Sequence, residues 1–335
     1  MNSKEMIWAY FIMLSDHFAY DSEARALGLY LPKPFKEENR IDLDTWDETI
    51  RFLGSHAFNT VLIDLGDQVR YESHPEISAP NAFSKEFVEK KLDEIRALGM
   101  KPVPKLNFSA CHDVWLKKYS RMIGTPEYYR VCADLIAEVC ELFGGPELFH
   151  LGLDEENYDC QQHTRERVMI RSASLWWHDC FFYFNEVEKN GARPWVWSDY
   201  YVHHPKLFLE NMPKSVLQSN WYYKTFRNLP PVPEGYELPD SGYFGSPAIS
   251  DRLRQDAYGR LSDAGYDEVP TSSSYTSRNN QLQTMMLCRE QVAEEHLKGF
   301  LTASWYETWN IHRYSLLEDA FRFYEARRTV YPESL

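Results

Sequence analysis

The sequence predicts an α/β protein, a single-domain (β/α)8 TIM barrel occupying residues 1–335, and three observations carry that expectation. Short apolar runs of strand-like composition recur eight times along the chain. Stretches of helical period separate them, which is the pattern of a parallel sheet with right-handed crossovers. No Gly-rich phosphate loop follows the first run, and no linker, low-complexity tract or shift in composition marks a second lobe. An open doubly wound sheet is therefore disfavoured.

In order, strands are expected at 7–14 (IWAYFIML), 59–65 (NTVLIDL), 101–108 (KPVPKLNF) and 147–153 (ELFHLGL). Four more are expected at 193–200 (RPWVWSDY), 216–223 (VLQSNWYY), 267–275 (DEVPTSSSY) and 299–306 (GFLTASWY). Between them, DTWDETIRFLGSHA places Trp46, Ile50 and Leu53 on one helical stripe. SKEFVEKKLDEIRALGM has Ser84 as N-cap and sets Phe87, Lys91, Ile95 and Leu98 along one face. TPEYYRVCADLIAEVCELFGG opens on Thr125-Pro126, carries Glu127 in its first turn and stops at Gly144-Gly145. LQTMMLCREQVAEEHLKG and SLLEDAFRFYEARR complete the helical stretches. A long insertion, at about 224–250, follows strand six. WWHD at 176–179 reads as a helix face, and the histidine pair at 203–204 as a solvated loop.

Composition narrows the function. Hydrophobic content is an ordinary 44%, but aromatic residues reach 15%, with 10 Trp and 22 Tyr. Carbohydrate clefts use such rings, because apolar sugar faces stack on them while the OH or NH makes polar contacts. Net charge is -14 with no run of Lys or Arg, which argues against nucleic acid and anionic membrane as partners. The expected partner is a carbohydrate substrate, with homo-oligomerisation left open. The cysteines Cys111, Cys132, Cys140, Cys160, Cys180 and Cys288 show no C-x-x-C pair or finger spacing, so neither a metal nor another cofactor is expected. Buried thiols favour a reducing compartment. Met6–Leu14 is too short to span a bilayer, and Asp16, His17 and Asp21 stand where a cleavage site would be. The cytoplasm is favoured on that basis, and a removed leader would instead place the protein in the periplasm or outside the cell.

A barrel site is built at the C-terminal strand ends. Strand two ends in Asp64 and Asp67, and strand three in Asn107, with Cys111-His112-Asp113 just beyond. Strand four ends in Asp154-Glu155-Glu156, strand five in Trp197-Ser198-Asp199-Tyr200, and strand six in Asn220-Trp221-Tyr222. Strand seven supplies Tyr275, and strand eight Trp305-Tyr306-Glu307. Crowded, buried carboxylates are expected to raise one another's pKa, so that one stays protonated as a general acid beside a charged neighbour. An acid beside a stabilising carboxylate, ringed by Trp, is suited to glycoside cleavage.

FHLGLDEE resembles the His-x-Gly-Gly-Asp-Glu signature of the family 20 glycoside hydrolases, the β-N-acetylhexosaminidases. The likeness extends over about residues 45–310: the stretch around KPVPKLNFSACH, the helix running into FHLGLDEE, RPWVWSDYY and ASWYETW each look like the corresponding family segment. The resemblance implies that Glu155 is the general acid. It implies that Asp154 orients the substrate's 2-acetamido group, whose carbonyl attacks the anomeric carbon in a retaining, substrate-assisted reaction. Tyr275 would hydrogen-bond the acetamido oxygen, Trp221 and Trp305 would wall the sugar, and Glu307 would bind its hydroxyls. His112 and His150 would support the carboxylates, and Trp197 and Asp199 complete the expected substrate-binding set. The chain differs from the pattern at Leu153, which replaces the second Gly, at the third carboxylate Glu156, and on strand one. There the family's Arg is missing and Asp16 stands nearest, so that Asp16 and His17 would shape a different subsite.

Other readings stay open from the residues alone. One is a glycosidase acting on a non-acetylated sugar. A second is a barrel that binds carbohydrate without cleaving it. A third is a metal-dependent sugar isomerase or hydrolase, with Asp64, His112, His150, Asp154 and Glu155 as ligands.

Overall fold

The computed structural model describes residues 6–15, 38, 40–158, 161, 168–171, 173–233 and 247–335. Its centre is a ring of parallel strands: β1 (Ile7–Met13), β2 (Thr60–Asp64), β3 (Lys101–Lys105), β4 (Leu148–His150), β5 (Arg193–Trp197), β6 (Leu217–Ser219), β7 (Thr271–Ser272) and β8 (Gly299–Ala303). Hydrogen bonding runs in the order β6-β5-β4-β3-β2-β1-β8-β7. Isolated bridges, Gln218 with Glu268 and Trp221 with Thr271, link β6 to β7. The expected single-domain (β/α)8 barrel is what forms, and each predicted strand contains an observed one.

Every strand is buried on both faces, which is why the sequence shows apolar runs rather than strict alternation. The alternation lies in where the side chains go. Ala9, Phe11, Met13, Leu62 and Val103 turn inward into one small core with Trp195, Trp197 and Leu301. Trp8, Tyr10, Ile12, Val61 and Ile63 turn outward into the larger core beneath the helices.

The helices begin where their caps are. Asp42 accepts from Thr45 N–H at 2.8 Å ahead of α1 (Leu43–Ser55), whose Trp46, Ile50 and Leu53 are buried as expected. Ser84 caps α2 (Lys85–Ala97) by accepting from Phe87 N–H, and Thr125 caps α3 (Pro126–Leu142) by accepting from Tyr128 N–H. The buried face of α2 is rotated from the expected one: Val88, Leu92 and Ile95 go inward. Phe87 stacks on Phe83, Lys91 pairs with Asp47 at 2.6 Å, and Leu98 is 41% exposed. Lys91 lies at the edge of the buried face, its side chain 12% exposed, and its ammonium is paired with both Asp47 and Glu94 as a largely buried charge requires.

The remaining helices are α4 (Ala173–Lys189), α5 (Asp199–His203), α6 (Pro205–Asn211), α7 (Pro247–Asp263), α8 (Asn280–Gln291) and α9 (Arg313–Val330). WWHD lies in α4 as a helix, but Asp179 is fully buried. The histidine pair at 203–204 is not a solvated loop: His203 ends α5, is 8% exposed, and has its pKa pushed down to about 3 by burial and by Arg254. Cys132, Cys140, Cys180 and Cys288 are buried and unbridged. Asp16, His17, Asp21, Cys160 and residues 234–246 of the insertion after β6 lie outside the described residues. Among the described residues no helix is long and apolar enough to cross a membrane.

One contact tests how the ring closes. A Cβ on Gly299 would sit 2.1 Å from the Ile7 backbone oxygen, in the β1–β8 pairing where Ile7 faces Gly299. The clash is with backbone, which cannot rotate away. Gly299→Ala is expected to destabilise the fold by about 1–3 kcal/mol or more, measured by urea unfolding, as overpacking does in close-packed interiors.

Candidate active site

Continuing the inward alternation to the strand ends places polar groups above the apolar core. The register sets Met13 beside Asp64, Asp64 beside Lys105, and Lys105 beside His150. Lys105 is 2% exposed, and its Nζ donates to Asp64 Oδ2 in a close ion pair while lying 5.3 Å from the Phe11 ring centroid. A pocket of about 440 Å3 opens here, lined by Phe11, Asp64, Lys105, Asn107, His112, Asp154 and Trp305 among others.

The chain after β4 is shaped by backbone that L-residues rarely adopt. Gly152, Leu153 and Glu155 have φ of 72°, 66° and 55°. A Cβ on Gly152 would fall 2.0 Å from Asn107 Oδ1, so only glycine lets the Asn107 amide approach. From that place Asn107 Nδ2 donates to Asp154 Oδ1 at 2.9 Å, and its Oδ1 accepts from Ser109 N–H at 3.0 Å. Ser109 Oγ donates to the Asp154 backbone oxygen, and Trp115 Nε1 donates to Asn107 O at 2.8 Å. Left-handed Leu153 and Glu155 cost roughly 1–3 kcal/mol each, and such strain gathers at functional sites.

The acidic triplet is divided three ways. Asp154 and Glu155 face His112, whose Nε2 lies 3.3 Å from Asp154 Oδ2 and 3.1 Å from Glu155 Oε2. Burial opposes a charge on His112, but the two carboxylates hold its pKa well above the usual imidazole value. Burial likewise opposes charge on Asp154, yet His112, Lys105 and the Asn107 amide hold its carboxyl well below the usual range. Glu156 turns away to Arg171, which also meets Asp179 at 2.9 Å, and it accepts from Ala110 N–H at 2.9 Å. The third carboxylate is thus a tie between the loops that follow β3 and β4.

Burial and crowding raise a carboxylate that lies outside the triplet, that of Asp199. Asp199 is 3% exposed, and burial followed by the Asp154 charge pushes its pKa up to about 7. Its Oδ2 accepts from the Glu155 N–H at 2.9 Å, fixing the left-handed turn.

No family model and no curated protein matches the sequence. Solved structures do match in shape. Dispersin B superposes with a TM-score of 0.60 at 12% identity, over 97% of this chain and 99% of that one. The pneumococcal virulence factor StrH gives 0.60 at 13% identity, over 98% and 86%. The Flavobacterium johnsoniae chitobiase FjGH20 gives 0.58 at 14% identity, over 95% of this chain and 50% of that one, so the chain spans about half of its length. The protein has the barrel fold of the family 20 glycoside hydrolases.

Within this GH20-like barrel the expected residues separate into groups. Asp154, Glu155, His112 and Asp199 converge as described, and Trp305 lines the pocket at φ 58°, its ring 5.9 Å from Trp197. Trp221 stacks on Tyr223 at 5.1 Å, beneath the Arg254 guanidinium. His150 does not meet the carboxylates: its Nδ1 accepts from Gly152 N–H, its ring packs on Trp197, and burial with Lys105 nearby holds it neutral. Tyr275 packs on Tyr306 and is not part of the pocket lining, and Glu307 is buried with His312 3.6 Å away. Among the described residues the five-residue metal set is not assembled either: of its members only His112 and Glu155 belong to a group whose ligand atoms converge.

Two residues escaped the sequence reading. Lys105 is one. Tyr223 is the other: its hydroxyl is buried, and its pKa is raised by burial and then by Asp154, Glu155 and Asp199, so it stands in the field of the carboxylates. Both follow the inward phase, 101-103-105 and 217-219-221-223, which is the signal that would have found them.

Two outcomes follow from these pairings. Arg171→Met leaves buried Glu156 and Asp179 without their cation and should lower stability by about 3–5 kcal/mol in urea unfolding. Asp199 ionises near about pH 3.9 when unfolded and near about 7 when folded. Between those values the native state keeps a proton that the unfolded state releases, so this stabilisation is present in acid and lost as pH rises towards 7. The stability of the wild type relative to Asp199→Asn should therefore fall across that window, and a flat or rising difference would contradict the assignment.

Proposed function

We propose that the protein is a retaining glycosidase for sugars carrying a 2-acetamido group. The observation that carries the reading is the Asp154–Glu155 pair at the end of β4, held against His112 in a pocket beside Trp305. Asp154, kept ionised by its neighbours, accepts a hydrogen bond from the acetamido N–H and balances the positive charge that develops on that group. Glu155, with its side chain 25% exposed, gives its proton to the glycosidic oxygen as the bond to the anomeric carbon breaks. The acetamido carbonyl oxygen attacks the same carbon and forms a cyclic cation. Glu155 then takes a proton from water as the water opens that ring, so the sugar leaves with its original configuration. Lys105 and Asp64 at the pocket floor supply a donor and an acceptor to the sugar hydroxyls. The similarity in fold to β-N-acetylhexosaminidases, and a pocket lined by His112, Asp154 and Trp305 at the C-terminal strand ends, support the same reading.

The test is a panel of nitrophenyl glycosides with and without a 2-acetamido group. Glu155→Gln should lose about 100-fold or more in kcat on the best substrate. Persistence within about tenfold would remove Glu155 from the role. Asp154→Asn should cost far more on the acetamido substrate than on its 2-hydroxy counterpart, and equal losses would argue against assistance by the substrate.

A further inference from the structure

The rim of the pocket also holds a set of side chains that the hydrolytic reading leaves partly unused. We propose that Cys111, His112 and Glu155 bind a divalent cation of the zinc class at the mouth of the pocket. The Cys111 sulfur, a His112 ring nitrogen and a Glu155 carboxylate oxygen all lie within 4.8 Å of one another, from a buried loop and the end of β4. Zn–N and Zn–O bonds of about 2.0–2.2 Å put adjacent ligand atoms of a tetrahedral ion roughly 3.3 Å apart. His112 Nε2 stands 3.1 Å from Glu155 Oε2, so the spacing that serves an ion pair also fits one edge of such a site. Cys111 is 2% exposed and its backbone N–H is held by Ser109 Oγ at 3.2 Å, which fixes the turn that carries the sulfur. Glu155, one-quarter exposed, closes the remaining distance by side-chain rotation.

The ligand chemistry selects the ion. Mg2+ and Ca2+ require shells of oxygen, whereas a thiolate with an imidazole and one carboxylate suits zinc. Three protein ligands leave a fourth position open, as in zinc sites that accept water or substrate, and His112 is the ligand that also lines the pocket. An ion there occupies the Glu155 oxygen that would otherwise carry the proton. Bound zinc therefore opposes the acid role proposed above, and that consequence rests on the glycosidase reading while the binding itself does not.

The test uses the full reduced chain freed of metal, with Co2+ as the optical probe and Zn2+ as competitor. The wild type should develop a near-ultraviolet thiolate-to-cobalt band that saturates at one equivalent and is bleached by Zn2+. Cys111→Ser or Cys111→Ala should abolish the band. Losing a partner of a ligand typically costs 10–100-fold in affinity, so losing the ligand itself should weaken Zn2+ binding by about tenfold or more. Zinc K-edge X-ray absorption on the wild type, which needs no variant to fold, should show one sulfur in the shell. The absence of the band, its survival in both variants, or a shell of nitrogen and oxygen only would overturn the proposal. On a substrate that turns over, Zn2+ should inhibit the wild type, and Cys111→Ser should require about tenfold more for the same inhibition. Equal inhibition of both would separate zinc's effect from this site. A chain that takes up cobalt through Cys111 but cleaves no glycoside would instead retire the glycosidase reading alone.

Discussion

The charge balance at the end of β4 governs the rest of the site. Asp154 and Asp199 are buried, Glu155 is one-quarter exposed beside them and Glu156 turns away, and ionised carboxylates cannot be buried together without cations. Arg171 takes Glu156, and His112 takes Asp154 and Glu155 together. Lys105, paired to Asp64, adds its field to Asp154. Asp199 is raised by burial and by the Asp154 charge, and Arg254 offsets this only in part. Asp154 and Asp199 act on one another, so a change in the charge of one shifts the proton affinity of the other.

That balance depends on backbone as much as on charge. The Asn107 amide reaches Asp154 only because residue 152 has no Cβ, and Glu155 is held in a left-handed conformation by the Asp199 oxygen on its N–H. Leu153 keeps a left-handed φ as well, and it is fully packed in the helix-side core. Its apolar burial offsets the strain that a glycine would avoid. The departure from the Gly-Gly pattern is thus compatible with the same turn.

The match between pattern and outcome was uneven for reasons visible in single residues. Strands were legible because residues buried on both faces leave apolar runs, and the Asp-Glu pair was legible because it ends one of them. The face of α2 was misread because periodicity alone does not decide between two adjacent rows, and the row Val88, Leu92 and Ile95 is the one that goes inward. Tyr275 was singled out by its position after strand seven and packs on Tyr306. Tyr223 was not singled out, and the inward phase of β6 brings it into the field of the carboxylates.

Order along the chain was enough to set the barrel, the inward phase of each strand and the stock of acids and rings at its mouth, since these depend on alternation and burial within a few residues. Which acid is charged, which is neutral and which is a mere tie was decided in three dimensions. His112 meets Glu155 across 43 positions and Asp199 meets it across 44, and a pKa is set by whatever stands opposite, not by what stands next in the chain.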